Sequence, residues 1–123
     1  MTSTAVALLS GTNFLSLTKP SVVGGSDSAS VMSIVPTACT TNKFVVAVDS
    51  PPGTGITETF TVRTGSNFTL SNSSMSCSIS GSATTCSSTT AVSITAGQFV
   101  DVSMALSSSL LSAENVALGL TCQ

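Results

Sequence analysis

The sequence predicts an all-β domain, an antiparallel sandwich or barrel, and three observations lead to that class. The β-branched residues Val, Ile and Thr, which favour strands, occur along the whole chain. Apolar and polar residues alternate over short segments, so that every second side chain faces a core. Turn residues close these segments at intervals of about ten residues, as they do in sandwiches and barrels.

About eight strands follow from this pattern, and the clearest lie at residues 43–49, 58–63, 100–106 and 116–122. In the first of these, Phe44, Val46 and Val48 share one face. Because Val45 and Ala47 fill the other, we expect this strand to be buried on both sides.

The charge content of the chain is unusual. Only 7% of its 123 residues are charged and the formal net charge is −2, while roughly a third of the residues are serine or threonine. Copies of such a chain repel one another weakly, so self-association is expected. Nucleic acid is not expected as a partner, because Lys19, Lys43 and Arg63 are the only cations and form no cluster.

The four cysteines, Cys39, Cys77, Cys86 and Cys122, are interpreted as two disulfides. Cys77 and Cys86 flank a turn, so a hairpin would bring them together, and a Cys39–Cys122 bond would close most of the chain. Zinc binding is disfavoured, because there is no CxxC pair and no histidine. In a reducing cytosol the alternative is four buried thiols.

Residues 1–30 differ from the rest and are predicted to form an N-terminal arm, or a strand and loop, beside a domain at 31–123. Their apolar side chains would pack on this domain or on a neighbouring subunit, and the sequence favours neither. The predicted assembly residues of the arm are Ala5, Val6, Leu8, Leu9, Phe14, Leu15 and Leu17. The apolar run is too short to span a bilayer, and no cation precedes it as in a signal peptide.

No catalytic, cofactor-binding or metal-binding residues are predicted, and we do not expect an enzyme. General acid–base chemistry usually relies on histidine or on paired carboxyls, and this chain has no histidine and scattered acids. Asp49 and Glu58 flank a Pro-Pro-Gly loop and could meet at one end of the sandwich, but two solvated acids are the expected arrangement. Asp101, on the outward phase of its strand, is expected to face solvent or a subunit contact.

The stretch from Thr37 to Cys122 resembles the jelly-roll domains at the ends of viral and bacterial surface fibres, related to the tumour-necrosis-factor and complement-C1q folds. The resemblance is strongest over "FTVR", "CSISGSATTC" and "QFVDVSM". It implies an antiparallel jelly-roll β-sandwich and three copies packed around an axis. The N-terminal residues lack the collagen-like or coiled-coil stalk of that group.

The leading functional hypothesis is therefore a non-enzymatic virion surface protein, either a capsid decoration or a short fibre subunit, present as a homotrimer. It would contact a major capsid protein or lie on another extracellular structure. One alternative is a subunit of a filament, pilus or spore appendage, assembled by donation of the N-terminal strand. A second is a carbohydrate- or receptor-binding module.

Overall fold

The structure, a computed structural model, describes residues 1–7, 11–18, 22–24, 30–110 and 114–123, and in them it contains strands and no helix. The strands are β1 (Thr2–Ala7), β2 (Thr12–Leu15), β3 (Val22–Gly24), β4 (Ser33–Ile34), β5 (Cys39–Val48), β6 (Gly53–Ser66), β7 (Thr69–Gly81), β8 (Thr85–Ser88), β9 (Val92–Ile94), β10 (Phe99–Leu106) and β11 (Glu114–Cys122).

These strands form two antiparallel sheets. The first sheet has the order β1-β11-β5-β8, with β9 also paired to β5, and the second has the order β3-β2-β10-β6-β7, with β4 also paired to β10. The prediction of an all-β antiparallel sandwich is confirmed. The described residues contain eleven strands rather than about eight, and β3, β4 and β9 are only two or three residues long.

The core lies between the two sheets and is built by the predicted alternation. In the first sheet each inward residue of β5 pairs with an inward residue of β11: Phe44 with Leu120, Val46 with Leu118 and Val48 with Val116. The second sheet faces them with Phe60 and Val62 of β6 and Val100, Val102 and Met104 of β10, all fully buried. Each such side chain stabilises the fold by roughly 1.5–3 kcal/mol.

The outer face of the first sheet is open, and the expectation that β5 is buried on both sides is wrong. Val45 is 37% exposed. Its cross-strand partner is Gly119, and Ala47 pairs with Ala117. Neighbours of that size cannot cover a valine, so the run of apolar residues in β5 does not indicate a second buried face.

The N-terminal strands belong to the same two sheets as the rest of the chain. Among the described strands, β1 forms one edge of the first sheet and pairs with β11 alone, from Thr2 opposite Gly119 to Ala7 opposite Glu114. β2 and β3 extend the second sheet beyond β10. The described part of residues 1–30 is therefore integrated with the segment 31–123.

β6 and β7 form a long hairpin whose tip marks one end of the sandwich, here called the hairpin end. The sequence places the turn at Gly65-Ser66-Asn67, whereas in the structure Asn67 and Phe68 are its two central residues. Gly65 is part of β6, and the backbone of the following turn packs closely against it. A Cβ atom at this position would collide with the backbone carbonyl of Thr69.

Candidate functional site

The four cysteines form the two bonds that the sequence favours. Cys39 of β5 is bonded to Cys122 of β11, at the hairpin end of the first sheet, and the two residues are 83 positions apart. In the chain-entropy model, closing a loop of that length stabilises the fold by about 4–5 kcal/mol. Disulfides of this kind are typical of proteins that mature in an oxidising compartment.

The Cys77–Cys86 bond has a different setting from the one expected. Cys77 lies in β7 of the second sheet and Cys86 in β8 of the first, so the bond joins the two sheets rather than two strands of a hairpin. The chain crosses from one sheet to the other through Gly81, whose positive φ of 62° suits glycine. A turn-rich sequence does not reveal whether the next strand stays in the same sheet.

The predicted arm residues fall into three groups. Leu15 and Leu17 are fully buried in the core of their own chain, and Phe14 is half-buried on the outer face of the second sheet. Ala5 and Val6 lie in β1, where the structure describes the backbone. Leu8 and Leu9 lie outside the described residues.

Two glutamates are buried between the sheets at the opposite end from the hairpin, here called the carboxyl end. Glu58, near the start of β6, is 0% exposed, and Glu114, the first residue of β11, is 2% exposed. Glu58 follows the inward phase of Phe60 and Val62, and Glu114 that of Val116. The alternation in the sequence therefore predicts that both glutamate side chains point into the core.

A shared proton would satisfy the buried oxygens of this carboxyl pair. In the described part of the chain, neither Oε of Glu58 nor Oε1 of Glu114 has a hydrogen-bond donor while both groups are ionised. Burial raises the pKa of both carboxyls, and that of Glu114 rises to about 8, because it is desolvated and because Glu58 lies beside it. With this raised pKa, Glu114 favours the protonated form at neutral pH, in which it can donate a hydrogen bond to the Glu58 carboxylate.

Asp49 lies at the same end but in water, as expected for a solvated acid. Its Oδ1 accepts a hydrogen bond from the backbone N–H of Asn115 at 2.9 Å and its Oδ2 one from Asn115 Nδ2 at 2.6 Å. These bonds lower the pKa of Asp49 below its usual value. The expectation of a solvated Glu58 is wrong, since that carboxyl meets Glu114 in the core instead.

A second pair of largely buried charged residues, Arg63 and Asp101, lies on the outer face of the second sheet. Asp101 pairs with Arg63 across β10 and β6 and is fully buried, with 3.7 Å between Arg63 Nη1 and Asp101 Oδ2. Arg63 also donates to the Leu70 carbonyl oxygen at 2.7 Å and lies over the Phe14 ring at 4.7 Å. Asp101 is therefore enclosed by its own chain, and the expectation that it faces solvent or a subunit is wrong.

The consequence of these placements is a surface with very little charge. Of the eight charged side chains, Glu58, Asp101 and Glu114 are buried and Arg63 is only 11% exposed, while Lys19 and Asp27 lie outside the described residues. On the described surface, charge is carried by the side chains of Lys43 and Asp49 alone. The rest is mainly serine, threonine and small residues.

Large apolar side chains are exposed at three described positions, Ile34 at 59%, Val45 at 37% and Phe68 at 58%. Ile34 and Phe68 both lie next to Phe99, because Ile34 is its cross-strand partner and the Phe68 ring centroid is 4.5 Å from that of Phe99. We call Ile34, Phe68 and Phe99 the Phe68 patch. Phe99 itself is half-buried.

Comparisons with protein-family models, with curated proteins and with solved structures give no match to this chain. The described residues include no helix long and apolar enough to cross a membrane. They also include no group of three or more His, Cys, Asp or Glu side chains placed to hold a metal ion. The described residues combine a sandwich cross-linked by two disulfides, a surface with few charged side chains and the Phe68 patch.

Proposed function

We propose that this chain is a non-enzymatic structural protein of a virion surface, a capsid decoration or short fibre subunit that assembles as a homotrimer. The observation that carries the proposal is the surface charge, which in the described residues is confined to Lys43 and Asp49. Surface charge ordinarily keeps proteins apart in solution. A surface without it suits a subunit that packs against its own copies and against a capsid protein.

The strand order supports a jelly-roll sandwich as the finer description of the fold. When the three shortest strands are set aside, β1-β11-β5-β8 faces β2-β10-β6-β7. In each sheet the earliest strand of the chain lies beside the latest, which is the arrangement that two Greek keys produce. Jelly rolls of eight strands occur in viral capsid and lectin domains, so this order favours the same functional class.

The disulfides support a location outside a reducing cytosol, on a virion or another extracellular structure. One bond fixes neighbouring strands at the hairpin end and the other ties the two sheets together. Both would help a thin sandwich to survive outside a cell, where a damaged copy cannot be replaced.

A filament subunit is the second candidate, and the position of β1 favours it. In the part of the chain that the structure describes, β1 pairs with β11 alone, at the edge of the first sheet. A strand donated by a neighbouring copy would occupy the same edge and form the same backbone hydrogen bonds. Exchange of β1 between copies would then link them into an open chain.

Light scattering coupled to size-exclusion chromatography separates these candidates. The proposed function predicts a discrete particle of three 12.2 kDa chains whose mass is unchanged over a hundredfold range of concentration. Polymers that grow with concentration and disappear when residues 1–7 are deleted would support the filament instead. A monomer at every concentration would contradict both.

A further inference from the structure

The backbone at the tip of the β6–β7 hairpin has a conformation that its sequence does not favour. Asn67 and Phe68, the two central residues of the turn, have φ values of 54° and 62°. Positive φ at both positions is the type I′ hairpin turn, in which Asn-Gly is the preferred pair. Asn67 suits its position, but a bulky residue such as Phe68 is a true outlier in the left-handed region.

The Phe68 side chain gains little burial to offset this strain. It is 58% exposed, although its ring packs at 34° to that of Phe99. A glycine would form the same turn without strain and without an exposed ring. Backbone strain that brings no stability to the fold is characteristic of positions kept for function.

A groove begins at Ile34, the cross-strand partner of Phe99, whose ring packs on that of Phe68. It has a volume of about 470 Å³ and its lining includes Ile34, Pro36, Ala38 and the Cys39–Cys122 disulfide. Ile34 belongs both to this lining and to the Phe68 patch. A projecting aromatic ring and a mostly apolar groove with room for one ring therefore lie side by side at the hairpin end.

We propose that copies of this chain bind one another through this end, with Phe68 of one copy inserted into the groove of the next. The proposal specifies the contact in the homo-oligomer proposed above and rests on it. Because each copy both donates a ring and accepts one, the contacts can close into a symmetric ring of three.

Charge favours a second copy over other occupants. Among the described residues, no charged side chain lines the groove or belongs to the patch, although Met1 and Gln123 are part of the lining. One end of the chain thus presents both an apolar ring and a groove whose described side chains are uncharged, so identical copies can supply both halves of the contact. A nucleic acid or a strongly charged protein would find no complementary charged side chain among the described lining residues. A buried aromatic anchor in a preformed groove is also the usual centre of a protein interface.

The variant Phe68→Gly separates assembly from folding. It creates the preferred Asn-Gly turn, so its monomer should resist urea at least as well as the wild-type chain. Its association should weaken by tenfold or more, which lowers the mass measured by light scattering. The matched control is Val45→Ser, which removes an exposed apolar side chain away from the patch and should leave the mass unchanged.

Complementation tests the specific contact. Ala38→Arg places a long charged side chain in the groove and should also give monomers. An equal mixture of Phe68→Gly and Ala38→Arg chains retains one intact groove and one intact ring, so it should form heterodimers. Each variant alone should remain monomeric.

Two results would overturn the inference while leaving the proposed function intact. The first is a Phe68→Gly protein with wild-type mass, and the second is a pair of monomeric variants that fail to associate when mixed. A monomeric wild-type chain would instead remove the proposed function itself. Loss of glycan-array binding in Phe68→Gly, with unchanged mass, would assign the patch to carbohydrate and also overturn the inference.

Discussion

The two ends of the sandwich depart from the usual distribution of polar and apolar residues in opposite directions. At the carboxyl end, Glu58 and Glu114 are buried between the sheets. At the hairpin end, Phe68 is exposed in a strained turn. β6 connects the two, since Glu58 lies near its start and Phe68 follows its last residue by two positions.

Both departures change the surface in the same way. Burying the acids removes charge from the outside, and exposing the phenyl ring adds apolar area. Each is unfavourable for an isolated molecule, because a buried carboxyl loses hydration and an exposed ring contacts water. The two ends together leave a described surface that has little charge and an exposed aromatic ring.

Substitution of Gly65 should have the largest effect and should act at the hairpin end alone. A Cβ atom here collides with the Thr69 backbone, so Gly65→Ala must distort the β6–β7 hairpin. We expect a loss of about 2–3 kcal/mol in the free energy of unfolding, measured in urea.

Gly55→Ala serves as the control for loss of a glycine in the same strand, because a Cβ there meets no neighbouring atom. It should cost less, although its φ of 79° adds some strain. Equal losses for the two variants would contradict the steric account of Gly65.

Neutralising the carboxyl pair should have an intermediate effect that depends on pH. The pKa of Glu114 is raised to about 8 in the folded chain and stays near its usual value of about 4.3 when unfolded. Between these values the folded state holds more protons, so the stability of the wild-type protein falls as the pH rises from about 4.5 to 8 and then levels off.

Glu114→Gln keeps a hydrogen-bond donor for Glu58 and removes the titrating group. It should leave stability near pH 4.5 almost unchanged and raise it by about 1–3 kcal/mol at pH 8. Urea unfolding across this pH range measures the difference. Parallel profiles for the variant and the wild-type chain would show that the pair does not share a proton.

The smallest effect is expected for Asp49, the exposed acid at the same end. Its pKa is lowered by the hydrogen bonds from Asn115, so its contribution is present above its usual pKa and lost as the pH falls through the lowered value. Asp49→Asn should therefore change the unfolding profile only at acidic pH. A change near pH 8 comparable to that of Glu114→Gln would contradict the contrast between the exposed and buried acids.

Alternation in the sequence was sufficient to predict much of the fold. It placed Phe44, Val46 and Val48 on one face, which is buried, and the turn between Cys77 and Cys86 indicated their bond. Successive side chains of a strand point to opposite faces of the sheet. Once a strand is located in the sequence, the position of its apolar residues therefore identifies the face that is buried.

The candidate site was harder to predict because its charged residues are buried and its aromatic residue is exposed, the reverse of the usual distribution. Glu58 and Glu114 follow the inward phase of their strands, but an ionisable side chain is usually expected at the surface. Only the three-dimensional arrangement shows that the two carboxyls lie beside each other in the core. Phe68 occupies a turn position that normally takes glycine. A sequence pattern based on usual turn residues therefore shifts the turn by one position and misses the exposed ring.

The most direct measurement of the central claim, that the fold buries both glutamates as a pair, is a ¹³C NMR titration of the glutamate side-chain carboxyls. The chain has only two glutamates, Glu58 and Glu114, so each signal can be assigned by one Gln variant. The account predicts that the Glu114 carboxyl titrates near pH 8 and that Glu58 titrates above its usual range. Two independent titrations near pH 4.3, the usual value for glutamate, would contradict it.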